Sequence, residues 1–502
     1  MSGETGNKTN EAGSAAGDEA GNGAGAGAGA GEMAKNAARI GVICFFAYAA
    51  CYTARGVLSA AMPQMVERGV FDAASLGSMG SAFFLFYGAG QLVNGFAGNR
   101  IGAKHMTSVG LALSGVLVAL FPLCGSVPMS VALWGACGFL CSMLWGPLSK
   151  LVGENTELGM GKIILTALSI ASYLGAAAAY FFASVSLSAG DWRMGFFIAG
   201  GAVFAVACFW RIAIGRLERK GAIRRAGRGG SERGAGARAK AGAGAAASAG
   251  AGAEADASAT DAGAEAGEEA GADAGASVRT EAGAGAEADA GATDAGAPVR
   301  AVYLPFRAKG FICMSAATML NGVARNAIAF WTPVFLLEKL GFTAEAAVGA
   351  SAVLPFLNMA GIFASMFALK LARGADEKMC AILFGAAAAL FAALCALDGR
   401  NAFLSAALLF AASAAMAGVC NIIFSAYVLR FAGSGGLSGI TGFLDFLSYA
   451  SASAASAAFA RMSAGGWSAI MLVWLCTAAM GILFSAAAQH RQGKARVEAA
   501  GK

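Results

Sequence analysis

The chain has 502 residues, of which 57% are hydrophobic and only 13% charged, with a formal charge of +6 and a mean hydropathy of +0.62. That is too little charge to cover a soluble surface, and a single water-soluble core stops growing at roughly 250–300 residues, so the apolar surplus must face lipid. The apolar runs are continuous and about 20 residues long, which fits spanning helices and excludes the alternating pattern of a membrane barrel.

In chain order, residues 1–34 are rich in Gly, Ala and Glu and lack the charged, apolar, small-residue succession of a cleaved signal; they read as a disordered cytoplasmic tail. Hydropathy then predicts helices over about 37–62, 74–97, 105–126, 129–152, 161–187 and 192–214. A low-complexity stretch follows, basic from Arg216 to Lys240 and acidic afterwards, so 216–304 reads as a flexible cytoplasmic linker. Six more helices are predicted at about 309–336, 345–370, 379–397, 401–429, 434–460 and 466–489, before a cytoplasmic tail over 491–502. The expected organisation is therefore an all-α membrane protein: twelve transmembrane helices, in one six-helix bundle over 35–215 and another over 305–490.

Charge placement gives the orientation. The loops after the second, sixth and eighth predicted helices hold Arg100 and Lys104, Arg216 through Arg233, and Lys370, Arg373 and Lys378, whereas Arg68, Lys339 and Arg400 on the other side are offset by Glu67, Glu338 and Asp398. The positive-inside rule then puts both termini and the linker in the cytoplasm; the expected location is a plasma membrane, for a bacterium the inner one. The same placement argues against a nucleic-acid partner. The cysteines mostly sit in apolar runs and read as small buried hydrophobes; no Cys/His spacing suits a metal, and no cofactor is called for.

The two halves repeat each other. Arg55 stands eight residues before Pro63 and Arg325 eight before Pro333; an acid-base pair follows each proline, at Glu67-Arg68 and Glu338-Lys339. A Phe-x-Ala then opens the next helix at Phe71 and Phe342, and Ser172-Tyr173 in the fifth helix matches Ser448-Tyr449 in the eleventh. A pseudo-two-fold relating the bundles explains all four matches.

Both arginines lie deep in apolar runs, where insertion costs at least about 2.5–3.5 kcal/mol, so they are expected to face a polar cavity at the interface between the halves. Two guanidinium forks suit a shared phosphate or carboxylate; pairing with a buried acid or a helix carbonyl is the structural alternative. Asp445 is the clear carboxylate inside a helix, as an arginine counter-charge or a proton-coupling group. Tyr48, Tyr52 and Arg55 share a helix face, as do Tyr87 and Gln91, and these tyrosines either shape a site or simply pack. Asn321, Asn326, Asn358 and Asn421 are further candidates, although hydrogen bonding between helices also accounts for them.

Gly95-Phe-Ala-Gly-Asn99-Arg100-Ile-Gly102-Ala-Lys104 resembles the major-facilitator loop signature Gly-x-x-x-Asp-Arg-x-Gly-x-Lys/Arg, with Asn99 in the Asp place. Tyr48-Ala-Ala-Cys-Tyr52-Thr-Ala-Arg55 with Ala61-Met62-Pro63, Arg325 with Trp331-Thr-Pro333, Gly442-Phe443 through Tyr449, and Asp191-Trp192-Arg193 resemble the organophosphate:phosphate antiporter family. That resemblance covers both bundles but neither the tails nor the linker. It implies the major-facilitator fold, alternating access, and inorganic phosphate exchanged for a phosphorylated metabolite gripped by Arg55 and Arg325. Tyr48, Tyr52, Tyr87 and Tyr449 also match family site positions. Gln91, Ser172 and Asn358 depart from the lysine, histidine and acid of well-known members, and Asp445 stands where a glycine is expected, which leaves the identity of the anion open.

The expected function is therefore a monomeric, non-enzymatic secondary transporter of a small anionic metabolite, by organophosphate/phosphate antiport. Two alternatives remain: a proton-coupled symporter or exporter of another organic anion with Asp445 as carrier, and a membrane sensor of a phosphorylated metabolite that does not transport.

Overall fold

A computed structural model describes residues 11–223, 306, 308, 310–371, 375–428, 430–431 and 437–500; within these, the side chains of 11–31, 95–100, 158, 162, 437–439 and 493–500 are not described. The part of the expected linker from residue 224 onward, and the side chains of Asn99 and Arg100 in the signature loop, lie outside this description. All regular structure among the described residues is helical.

Helices α1 (Glu11–Glu67), α2 (Ala73–Ile101), α3 (Ala103–Leu120), α4 (Val127–Cys141), α5 (Trp145–Asn155), α6 (Leu158–Ser188) and α7 (Trp192–Arg219) build the first half. The second half contains α8 (Phe311–Gly322), α9 (Ile328–Glu338), α10 (Ala344–Ser351), α11 (Leu354–Leu371), α12 (Asp376–Leu397), α13 (Ala402–Ile422), α14 (Leu437–Ser463) and α15 (Trp467–Ala500). Nine helical stretches among the described residues are long and apolar enough to cross a bilayer, at 32–67, 103–123, 127–155, 159–188, 192–219, 344–371, 376–397, 402–427 and 467–492. The remaining stretches, 73–101, 311–338 and 437–463, lie between them where a twelve-span chain requires them. Large apolar side chains such as Phe181, Phe367, Phe403 and Leu483 are exposed on the outer surface, as lipid contact demands. Cys208 and Cys476 also face outward, not inward as small buried hydrophobes would.

Several helices differ from their expected extents. The backbone of α1 is helical back to Glu11, through most of the segment read as a tail; no proline interrupts it before Pro63, although its many glycines disfavour helix. The helix expected over 129–152 is broken at residues 142–144. There Ser142 donates to the Phe139 carbonyl at 2.6 Å and accepts from Asn94 at 2.7 Å, and Pro147 falls in the first turn of α5, where a missing N–H is harmless. A second break separates α10 from α11, just before Pro355. Short π-helical turns join α8 to α9 at Val323–Ala327 and extend α13 at Ile423–Tyr427.

The internal repeat is visible in the packing. Ala49 and Met319 each lie six residues before their arginine. The Ala49 carbonyl is so close to α6 that a Cβ on Gly175 would come within 2.0 Å of it. The Met319 carbonyl, at the matching place, accepts the Ser451 hydroxyl at 2.7 Å. Gly322 permits another close crossing, since a Cβ there would stand 2.1 Å from the Ser448 carbonyl.

The face of the bundle holding residues 67, 338 and 463 is called here the far face, and that holding 101, 219 and 371 the terminal face. The hydrogen bonds seen to cross between the halves lie level with Arg55 or on its far-face side. Ser59 donates to the Phe330 carbonyl at 2.8 Å, Ser453 to the Ser81 carbonyl at 2.8 Å, and Ser456 to the Gly77 carbonyl at 3.4 Å. Tyr180 and Ala183 of α6 meet Val348 of α10 in a small buried cluster on the same side. Pairing at the terminal face stays within halves: Lys104 bonds Glu218, and Arg430 bonds Asp376, Glu377 and Gln492. At the far face Asp398 closes α12 with a φ of 43° and accepts from Lys339 at 2.6 Å, a bond that holds its carboxyl below the usual carboxylate range.

Candidate functional site

A cavity of about 130 Å³ sits between the halves at mid-depth, with room for roughly ten waters or one small metabolite. Arg55 of α1 and Arg325 of the π turn both line it. The turn widens the helix at Arg325, and such turns frequently mark functional positions.

The two arginines are not in the same situation. Arg55 donates to the Tyr449 hydroxyl at 2.8 Å and to the Asn326 oxygen at 3.4 Å, both in the opposite half. Its guanidinium also lies 5.0 Å from the ring centres of Tyr87 and Tyr449 and 5.3 Å from that of Tyr52, within the range of cation–π attraction. Arg325 has no hydrogen-bond partner and no ion pair among the described residues, and its Nε is buried. A guanidinium fork with no protein acceptor has its N–H donors free for a ligand, and an incoming anion would supply acceptors in matching geometry.

The other expected residues divide into two groups. Tyr52 lines the cavity. Tyr48, Tyr87, Gln91 and Tyr449 do not; they stand behind its wall. Tyr48 packs on Trp145 with ring centres 5.2 Å apart, while Gln91 donates to Tyr87 at 3.0 Å, and Tyr87 packs on Tyr449 at 4.5 Å. Asp445 is within electrostatic reach of both Arg325 and Arg55, yet it makes no ion pair with either within 4.0 Å among the described residues. Asn326 and Asn358 line the cavity, whereas Asn321 donates to the Met416 carbonyl and Asn421 to Ser365, serving as helix-to-helix bonds.

Sequence reasoning missed the aromatic part of the wall: Phe83, Phe84, Trp134, Tyr173, Tyr180 and Phe330. Single aromatics in apolar helices look like core, and only the Ser172-Tyr173 match to Ser448-Tyr449 carried a signal. No cluster of metal-ligating side chains is present among the described residues.

The profile described as Major Facilitator Superfamily matches residues 44–457. A probable hexose phosphate transport protein of Chlamydia muridarum is 26% identical over 162 residues, 32% of this chain and 36% of that one. The membrane sensor protein UhpC of Escherichia coli is 27% identical over 173 residues, 33% of this chain and 38% of that one. The chain thus spans less than two-fifths of the length of these relatives. Among solved structures, the xylose transporter XylE of E. coli, in a partially occluded inward open conformation, matches with a TM-score of 0.59 and 13% identity over 90% of this chain and 96% of that one. At that identity the likeness concerns the fold.

Proposed function

The chain belongs to the Major Facilitator Superfamily, and on that premise we propose that it is a secondary active transporter of a small anionic metabolite, exchanging an organophosphate for inorganic phosphate by alternating access. The observation that carries this reading is the pair of mid-span arginines on one cavity wall, one from each half, with Arg325 lacking any partner of its own among the described residues. An anion entering the cavity supplies acceptors to Arg325 and draws Arg55 away from Tyr449 and Asn326. Because those two residues belong to the other half, the exchange of partners loosens the far-face seal as it binds the substrate. The terminal face is the cytoplasmic one in this reading, and the membrane is the bacterial inner membrane.

The test is exchange in proteoliposomes loaded with phosphate. Labelled phosphate should enter through the wild-type chain and not through Arg325→Ala. Absence of exchange from folded wild-type protein would refute phosphate antiport.

One relative is a membrane sensor, which favours a second reading in which the same site binds a phosphorylated metabolite and signals without turnover. Saturable binding with no exchange under any gradient would select it.

A further inference from the structure

We propose that the organic body of the substrate is apolar or aromatic, not polyhydroxylated; this rests on the anion-binding reading above and goes on to name what the anion is attached to.

The serine donors on the cavity wall and much of the Asn326 amide are committed to the protein. Ser59 donates to the Phe330 carbonyl at 2.8 Å, and Ser172 to the Ser169 carbonyl at 2.7 Å. Asn326 is used at both ends, accepting from Arg55 and donating to Ser448 at 3.4 Å. Asn358 accepts the Ser413 hydroxyl at 3.0 Å through its oxygen. What remains for a ligand, apart from the guanidiniums, is the acceptor lone pairs of the Ser59 and Ser172 oxygens, the Asn358 amide nitrogen and the phenols of Tyr52, Tyr173 and Tyr180. A sugar or polyol brings several hydroxyls, each wanting both a donor and an acceptor, and each one left unmatched lowers affinity about tenfold.

The rest of the wall is a continuous apolar surface. Phe83 packs on Trp134 with ring centres 5.7 Å apart, and Phe84 meets Phe330 edge-on at 5.8 Å, carrying the aromatic patch from one half to the other. Leu354 and Pro355 extend it at the break between α10 and α11. Two cations on the wall and rings over much of the remainder are complementary to an acid head on an unsubstituted ring or chain.

Two pairs of probes separate the body from the head. Calorimetric dissociation constants would be measured on the purified full chain for phenyl phosphate against glucose 6-phosphate, and for phenylacetate against gluconate. The expected result is that the aromatic member of whichever pair binds does so at least about tenfold more tightly, because the head is held constant within each pair. Equal or tighter binding of the polyol member would overturn this inference while leaving the anion reading in place. Failure of all four compounds to bind folded protein would overturn the anion reading, and this inference with it.

Discussion

Substituting alanine for Gly77 should open the far-face seal. In the present arrangement a Cβ at Gly77 would lie 2.2 Å from the Cβ of Ala460 and 2.9 Å from the Ser456 carbonyl oxygen. Carbon atoms rest at about 3.5–4.0 Å, so α2 and α14 must part by roughly 1.5 Å at this level. Neither neighbour can swing aside, since one is a methyl fixed to the backbone and the other is backbone itself. Overpacking of this kind costs about 1–3 kcal/mol. Charged wholly to the sealed state, it lowers the ratio of sealed to unsealed molecules by roughly 5–150-fold. Hydrogen exchange read by mass spectrometry should report faster labelling of the far-face ends of α2 and α14 in Gly77→Ala than in wild type. Gly201→Ala is the control, because a Cβ there meets nothing within 4 Å. Unchanged protection of both segments in folded Gly77→Ala protein would refute the idea that this crossing holds the seal.

Further substitutions probe the site and its frame. Arg325→Lys keeps the charge but loses the planar fork, and phosphate exchange in proteoliposomes should fall by about tenfold or more; wild-type rates would exclude bidentate recognition. Tyr449→Phe removes the hydroxyl that accepts from Arg55, a bond to a charged group worth about 1.5–3 kcal/mol, so far-face hydrogen exchange should rise while folding is retained. Asp445→Asn should tighten anion binding, as it deletes a negative charge within reach of both arginines; unchanged affinity together with an unchanged pH profile of uptake would remove Asp445 from both its candidate roles. Arg430→Gln strands the buried Asp376 and Glu377 at the terminal face and should cost about 3–5 kcal/mol of stability in detergent, and Arg430→Gln combined with Asp376→Asn and Glu377→Gln should recover much of it.

Much of the helical layout was legible because lipid imposes a simple rule on span length and polarity. Arg55 and Arg325 stood out for the same reason, as charges where the solvent forbids them. The breaks at 142–144 and 352–353 were not legible, since the apolar run continues through them and Pro147 and Pro355 look like ordinary helix-tolerated prolines. The π turn at Arg325 left no trace either, for nothing in the local sequence from Val323 to Ala327 distinguishes it from ordinary helix. Tyr48 shares a helix face with Tyr52, and Gln91 with Tyr87, but spacing gives the face of a helix and not its depth, and of these four only Tyr52 reaches the cavity. The aromatic wall was hidden because Phe83 and Trp134 differ from core residues only in what lies on their other side.

The glycines at the helix crossings divide the molecule into parts with different freedom to vary. At Gly175 and Gly322 the opposing group is a backbone carbonyl, so no other residue fits without moving a whole helix. The cavity wall, in contrast, is made of side chains whose replacement shifts no helix axis. Descent with modification on such a frame can therefore exchange one cargo for another by a few changes around two fixed cations, while the crossings that hold each half together as a unit stay as they are.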